Sequence, residues 1–165
     1  MRRLPSPVTV VTAGGVREPR GITIGSFTST SLEPPLVSFN VELAAQMHDV
    51  LAAAGHYAVH LLGDAHAHLS DRFARPDRTG EEQFDGLAYH RDAHGTPVLD
   101  GVLAVLHCVP YAVYEAGDHS IFVGEVVDIE EGGPGQPLLY FNRAYRRVGE
   151  PVAPPAFLTP VKRSS

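Results

Sequence analysis

The chain has 165 residues, 44% of them apolar and 19% charged, with a formal net charge of −6. That length supports one packed core without staples, the composition argues against disorder, and the lack of any basic run beyond Arg2-Arg3 and Arg146-Arg147 argues against nucleic acid as a partner. No window approaches the roughly 18 apolar residues of a membrane span, and Pro5 and Pro7 interrupt any leader that Arg2-Arg3 could begin.

In chain order, the β-branched run Val8 to Ala13 predicts a strand. A glycine turn at Gly14-Gly15 leads to a second strand, Arg20 to Ile24, with Pro19 near an edge. The stretch T-I-G-S-F-T-S-T-S-L-E-P-P-L, residues 23–36, reads as a hydroxyl-rich loop, and Leu36 to Val41 as the next strand. Leu43, Met47, Val50, Leu51 and Ala54 fall on one helix face, with Gly55 as its C′ residue. Tyr57 to Leu62 returns to strand. Asp64 is expected to cap a second helix carrying Leu69 and Phe73 and ending before Pro76, and residues 75–86 read as loop.

The remainder is β. Val102 to Val109, continued by Tyr111 to Glu115, is one strand; Ile121 to Ile129 is another; Leu138 to Phe141 is a short last one. Runs that are apolar on both faces fit strands buried on both sides. Sixteen glycines and 14 prolines supply the turns such a fold needs. Six or seven strands and two helices point to an α+β or β-barrel class, not a doubly wound sheet, and no G-x-G-x-x-G occurs between a strand and a helix. One domain is expected over residues 1–150, followed by a proline-rich tail over 151–165.

Three constellations could carry chemistry. The hydroxyls of residues 23–31, with Gly25 among them, either satisfy their own loop or converge with backbone N–H groups on an anion. His119, after the Gly117-Asp118 turn, is either an ordinary hairpin residue or a contact to a cofactor at a strand mouth. Nine histidines include the pairs His56/His60 (on one strand face), His66/His68 and His90/His94, but neither H-E-x-x-H nor a cysteine pair accompanies them, so no metal is expected. A serine hydrolase is disfavoured by the absence of G-x-S-x-G. The single Cys108 cannot form an internal disulfide; it reads as a packed small hydrophobe and fits a cytoplasmic location.

The segments V-T-V-V-T-A, R-G-I-T-I-G-S-F-T-S-T-S-L-E-P-P-L-V, A-G-H-Y-A-V-H-L-L, L-S-D-R-F-A, P-V-L-D-G-V-L-A-V-L-H-C and E-A-G-D-H-S-I-F-V-G-E-V follow one another from Val8 to Val126, and N-R-A-Y-R extends the series to Tyr145. In that order they resemble the flavin reductase family with the FMN-binding split-barrel fold. The resemblance implies a mainly β, α+β protein: a six-stranded antiparallel split barrel with Greek-key character and peripheral helices, assembled as a homodimer. It implies an oxidoreductase that passes hydride from NADH or NADPH to FMN, or to FAD, and that can supply a monooxygenase. An FMN-binding electron-transfer flavoprotein on the same barrel is the alternative.

By position, the resemblance implies that Thr23, Ile24, Gly25, Ser26, Phe27, Thr28, Thr30 and Ser31 wrap the flavin. Backbone near Ile24 to Thr28 would meet the ring system, and the hydroxyls of Ser26, Thr28 and Ser31 the polar chain and phosphate. Gln46 would also reach the flavin, and His119 and Tyr145 would lie by the nicotinamide. The chain departs from the family in carrying His60 where asparagine is usual, in lacking hydroxyls at Ala44-Ala45-Gln46, and in having only Met1 to Pro7 before the first strand. No catalytic acid–base pair is expected, because the cofactors carry the reactivity.

Overall fold

The computed structural model describes residues 3–14, 18–78 and 80–152. Gly15 of the expected turn and residues 153–165 of the expected tail lie outside them. The elements are β1 (Ser6–Pro7), β2 (Thr9–Ala13), β3 (Arg20–Ile24), β4 (Thr28–Leu32), β5 (Pro35–Glu42), α1 (Gln46–Ala53), β6 (Tyr57–Leu61), a 3₁₀ turn (Asp64–His66), α2 (Ala67–Phe73), α3 (Gly80–Phe84), β7 (Tyr89–Arg91), β8 (Pro97–Leu99), β9 (Ala104–Ala116), β10 (His119–Glu131), β11 (Leu139–Phe141) and β12 (Ala144–Arg146).

The fold is mainly β, with antiparallel pairing throughout its described ladders. Its principal sheet runs β3-β2-β6-β9-β10-β5-β4, with small sheets β1-β11-β12 and β7-β8 beside it. Within the principal sheet β10 lies between β9, its hairpin partner, and β5, which comes from much earlier in the chain. The principal sheet holds seven strands where the family pattern implies six. Its hydrogen-bonded ladder does not close among the described residues, and β3 and β4 stand at its two ends. The additional strand is β4, formed by the hydroxyl run itself. Thr28 pairs with Ser38 and Leu32 with Pro35, across a bulge between Ser29 and Ser31. Nearly every residue of β4 is exposed, so no apolar alternation marks it as a strand.

Two cores explain the unbroken apolar runs. On β2, Val10 faces a cluster with Leu69, Phe73, Phe84 and Val98, whereas Val11 faces another with Phe39, Leu51, Tyr57 and Phe122. Adjacent residues point to opposite faces, so the first cluster lies under α2 and α3 and the second fills the concave side under α1. Phe39 packs edge-on to Tyr57 at 5.8 Å and parallel to Phe122 at 5.9 Å. A Cβ on Gly124 would stand 1.9 Å from the Tyr57 hydroxyl, so that position excludes any side chain. Burial, and then the neighbouring Cys108, raise the Tyr57 pKa above its usual range, and burial pushes the Cys108 thiol up to about 12. Both groups keep their protons at neutral pH.

Several local expectations change. Helix α1 begins at Gln46, because β5 runs on to Glu42 and the Leu43 N–H donates to the Asp118 carbonyl at 2.9 Å. The helix stops at Ala54, which is extended (φ −76°, ψ 134°), so Gly55 supplies no left-handed cap. Gly63, not Asp64, precedes the 3₁₀ turn; the Asp64 carboxylate instead holds Arg147 at 2.6 Å. Residues 75–86 contain α3, too short for a readable period. The α3 residue Gln83 accepts from the Gly21 N–H and donates to the Gly21 carbonyl, both at 3.0 Å, covering part of the β3 edge. His56 lies outside β6 and shares no strand face with His60; its ring stacks on His94 at 3.5 Å.

Candidate functional site

Two adjoining clefts open where β3, one end of the ladder, comes against β5 across the curl of the sheet. The first, of about 580 Å³, is lined by Ile22 to Ser26, Asn40 to Glu42, Ala45, Ala116, His119 and Ile121. The second, of about 400 Å³, shares Ile22, Glu42 and Ala45 with it and adds Arg20, Gln46, Phe73, Arg75 and Arg78 among others. Strand β3 pairs only with β2, so one row of its backbone N–H and C=O groups is left by the ladder. Gln83 takes that row at Gly21. Two residues on, at Thr23, and toward Gly25 it borders the first cleft, while the Ile24 carbonyl accepts from Thr9 Oγ1. Apolar walls (Ile22, Ile121) edged by backbone donors and acceptors suit a flat heteroaromatic ring.

His119 enters through hairpin geometry. Ala116 pairs with His119, leaving Gly117-Asp118 as a two-residue turn with Gly117 at φ 69°, a position that favours glycine. The His119 Nδ1 lies 2.7 Å from Asp118 Oδ1. A hydrogen bond from His119, and then its charge, hold the Asp118 carboxyl below its usual range. With Nδ1 engaged, Nε2 is the nitrogen left for a ligand. One residue on, the buried Ser120 is bonded by His48 Nε2 at 2.9 Å, which ties α1 to the strand that carries His119.

The second cleft carries three arginines and one carboxylate, Glu42. Arg20 donates to Glu18 at 2.8 Å and to Gln46 Oε1 at 2.5 Å, so the Gln46 amide is fixed at the cleft wall. Arg75 pairs with Asp71 at 3.0 Å. Arg78 has no carboxylate partner among the described residues. Three guanidiniums around one depression suit a phosphate.

The structure therefore brings Thr23, Ile24, Gly25, Ser26 and His119 together on one cleft and Gln46 on the next. Several hydroxyls have intramolecular partners. Thr23 Oγ1 donates to the Ser70 carbonyl at 2.7 Å, Thr30 Oγ1 to Ser38 Oγ at 2.9 Å, and Ser26 Oγ accepts from the Asn40 N–H at 2.9 Å. Phe27 packs against the concave core. Thr28, Thr30 and Ser31 lie along β4 outside both clefts, and Tyr145 is held by its hydroxyl to Ser70 Oγ at 2.9 Å. Arg20, Arg75, Arg78, Asn40 and Ile121 join the clefts only through folding. Arg20 and Ile121 lie within the quoted segments R-G-I-T-I-G-S-F and G-D-H-S-I-F-V-G but carry no chemical signal of their own there, and Asn40, Arg75 and Arg78 fall in no motif.

The clustered histidines are engaged elsewhere. His60 is fully buried; its Nδ1–H donates to the Val10 carbonyl and its Nε2 accepts from the Leu99 N–H, both at 3.0 Å. Burial lowers its pKa to about 4. His107 bonds Glu130 at 2.7 Å and His90 bonds Asp100 at 2.8 Å. No group of three or more metal-ligating side chains converges among the described residues, and none of their helices is long and apolar enough to cross a membrane.

The chain is similar in sequence and fold to known proteins. A sequence model described as the flavin reductase like domain matches residues 1–149. The reductase component of 4-hydroxyphenylacetate 3-monooxygenase from Thermus thermophilus is 40% identical over 148 residues, covering 90% of this chain and 92% of that protein. The NADH-linked FMN reductase SmoA of Agrobacterium fabrum is 39% identical over 140 residues, covering 85% of this chain and 78% of that protein. Among solved structures, the NADH:FAD oxidoreductase SgcE6 of Streptomyces globisporus, in complex with NAD and FAD fragments, superposes with a TM-score of 0.82 at 38% identity, covering 89% of this chain and 87% of that one.

Proposed function

The chain belongs to the flavin reductase like family, and on that premise we propose that it is an NAD(P)H-dependent flavin reductase acting on FMN, or on FAD, at the cleft between β3 and β10. The observation that carries this reading is the joining of an apolar slot edged by backbone amides, with His119 at its rim, to a depression lined by three arginines. A ring system fits the first cleft and its phosphate the second.

Flavin and nicotinamide supply the hydride chemistry when bound. The chain's part is to hold them. Ile22 and Ile121 wall the slot, backbone at Ile24 to Ser26 meets the polar edge of the ring, and Arg20, Arg75, Arg78 and Gln46 hold the phosphate. Phe27 supports this wall from the core side, and the hydroxyls of Thr28, Thr30 and Ser31 extend the polar rim along β4. Thr23 and Tyr145, joined through Ser70, border the nicotinamide side opposite His119. Asp118 orients His119 so that Nε2 faces the nicotinamide carboxamide, and the pair positions a ring without donating a proton to the reaction.

The curl that brings β3 against β5 supports a split barrel within residues 1–150. Tyr111, Val113 and Tyr114 near one end of the β9–β10 hairpin and Val127 and Ile129 toward the other are exposed, a surface suited to a second copy in a homodimer. The name of the Thermus relative supports delivery of reduced flavin to a monooxygenase, and the one buried cysteine suits the cytoplasm. The room beside His119 favours a reductase over a flavoprotein that takes electrons only from another protein. The test is NADH consumption by the purified chain with and without added FMN. Consumption that rises with flavin supports the reading, and no flavin-dependent consumption of NADH or NADPH contradicts it.

A further inference from the structure

Tyr140 and Tyr145 sit directly opposite each other in the β11–β12 ladder, their ring centroids 5.5 Å apart at 66°. They are 44% and 37% exposed, and neither belongs to a core cluster. Two independent links bind this aromatic face to the first cleft. Tyr145 donates its hydroxyl to Ser70 Oγ, and the carbonyl of the same Ser70 accepts from Thr23, a cleft residue. Tyr140 is the ladder partner of Ser6 in β1, and the Ser6 Cβ lies 3.6 Å from where a Cβ on Gly25, another cleft residue, would stand.

Ladder partners project side chains to the same face of a sheet. Since Ser6 projects toward Gly25, Tyr140 and Tyr145 project toward the same rim. Cross-strand spacing puts the Tyr140 Cβ roughly 9 Å from Gly25. Exposed rings at that distance from a nucleotide-sized cleft offer a stacking surface for a base, which every purine can use through its π-face.

We propose that the Tyr140–Tyr145 face stacks the adenine of a dinucleotide whose reacting ring occupies the cleft. The inference rests on the flavin reductase reading. Adenine can arrive on NAD(P)H or on FAD, and the chemistry of stacking is common to both.

The experiment compares wild type, Tyr140→Ala and Tyr140→Trp on the full chain. It measures KM for NADH and for reduced nicotinamide mononucleotide with FMN as acceptor, and Kd for FAD and for FMN. The expected result is that Tyr140→Ala raises KM for NADH roughly five- to fifty-fold, or raises Kd for FAD by that factor. The matching mononucleotide is unaffected, and Tyr140→Trp restores the loss. Whichever dinucleotide responds names the source of the adenine. Equal changes for dinucleotide and mononucleotide, or no change for any of the four, would overturn the platform. A wild-type chain with no flavin-dependent oxidation of NADH or NADPH would instead overturn the flavin reductase reading and the platform with it.

Discussion

His60 and His119 lie on β6 and β10 of one sheet, yet their rings meet opposite surroundings. Both nitrogens of His60 are bonded to main chain in a site closed to water, and burial lowers its pKa to about 4. One nitrogen of His119 is held by an exposed carboxylate, and the ring, at 43% side-chain exposure, lines a cleft with the other nitrogen open to a ligand. The difference teaches that a histidine is available for binding when its surroundings fix the ring but leave one nitrogen free. Where they engage both, it is a strut, here tying β6 to β2 and β8.

Removing the strut should have the largest effect. His60→Ala leaves the Val10 carbonyl and the Leu99 N–H without their partner and opens a cavity, so a loss of about 3–5 kcal/mol is expected in denaturant titration. The same ring sets an acid limit. Its pKa is below the ordinary 6.5 in the folded state, so the unfolded chain binds the proton more tightly. Stability is full above about pH 6.5 and falls as the pH drops toward 4, by about 3 kcal/mol from this group. A replacement that folds without the imidazole, such as His60→Asn, should flatten that part of the pH–stability curve. An unchanged slope would show that other groups set it.

At the cleft the expected effects fall on ligands and leave folding nearly untouched. Arg78→Ala should weaken FMN about tenfold or more, the loss of a charge-assisted hydrogen bond, while riboflavin, which has no phosphate, binds as before. Equal weakening of both would remove Arg78 from the phosphate site. His119→Ala should raise KM for NAD(P)H by about tenfold, with flavin Kd and the denaturation midpoint nearly unchanged. If His119→Ala destabilised the protein as His60→Ala does, the contrast between the two rings would collapse.

The strands of such a chain are partly legible from its residues; their order in the sheet is not. Val8 to Ala13 and Tyr57 to Leu62 announce themselves because both faces are buried and both must be apolar, whereas the apolar run Ile121 to Ile129 is buried only at its start and leaves Val127 and Ile129 exposed. Strand β4 does not, since its side chains are polar and its pairing is a matter of main chain. Strands β7, β8 and β12 and helix α3 are too short to show a period. The same limit applies to the site. Thr23 to Ser26 and His119 stand out through the resemblance of the two segments that carry them to one family; taken alone, each reads as well as an ordinary turn. Arg20, Arg75 and Arg78 converge from β3 and the segment after α2, and only the folded chain puts them on one depression. Nor could the sequence tell an engaged His60 from an open His119, because the partners of His60 are backbone groups of Val10 and Leu99, 50 and 39 residues away.

The central claim is direct hydride delivery to a flavin held between β3 and β10. It is tested most directly by mixing the FMN-loaded chain with NADH, and separately with NADPH, in the absence of oxygen while following flavin absorbance. Rapid bleaching of the oxidised flavin band with at least one of them, slowed when His119 is replaced by alanine at subsaturating nicotinamide, is the expected result. A flavin that binds but stays oxidised with both would contradict the claim and leave the chain an electron carrier that requires another protein to reduce it.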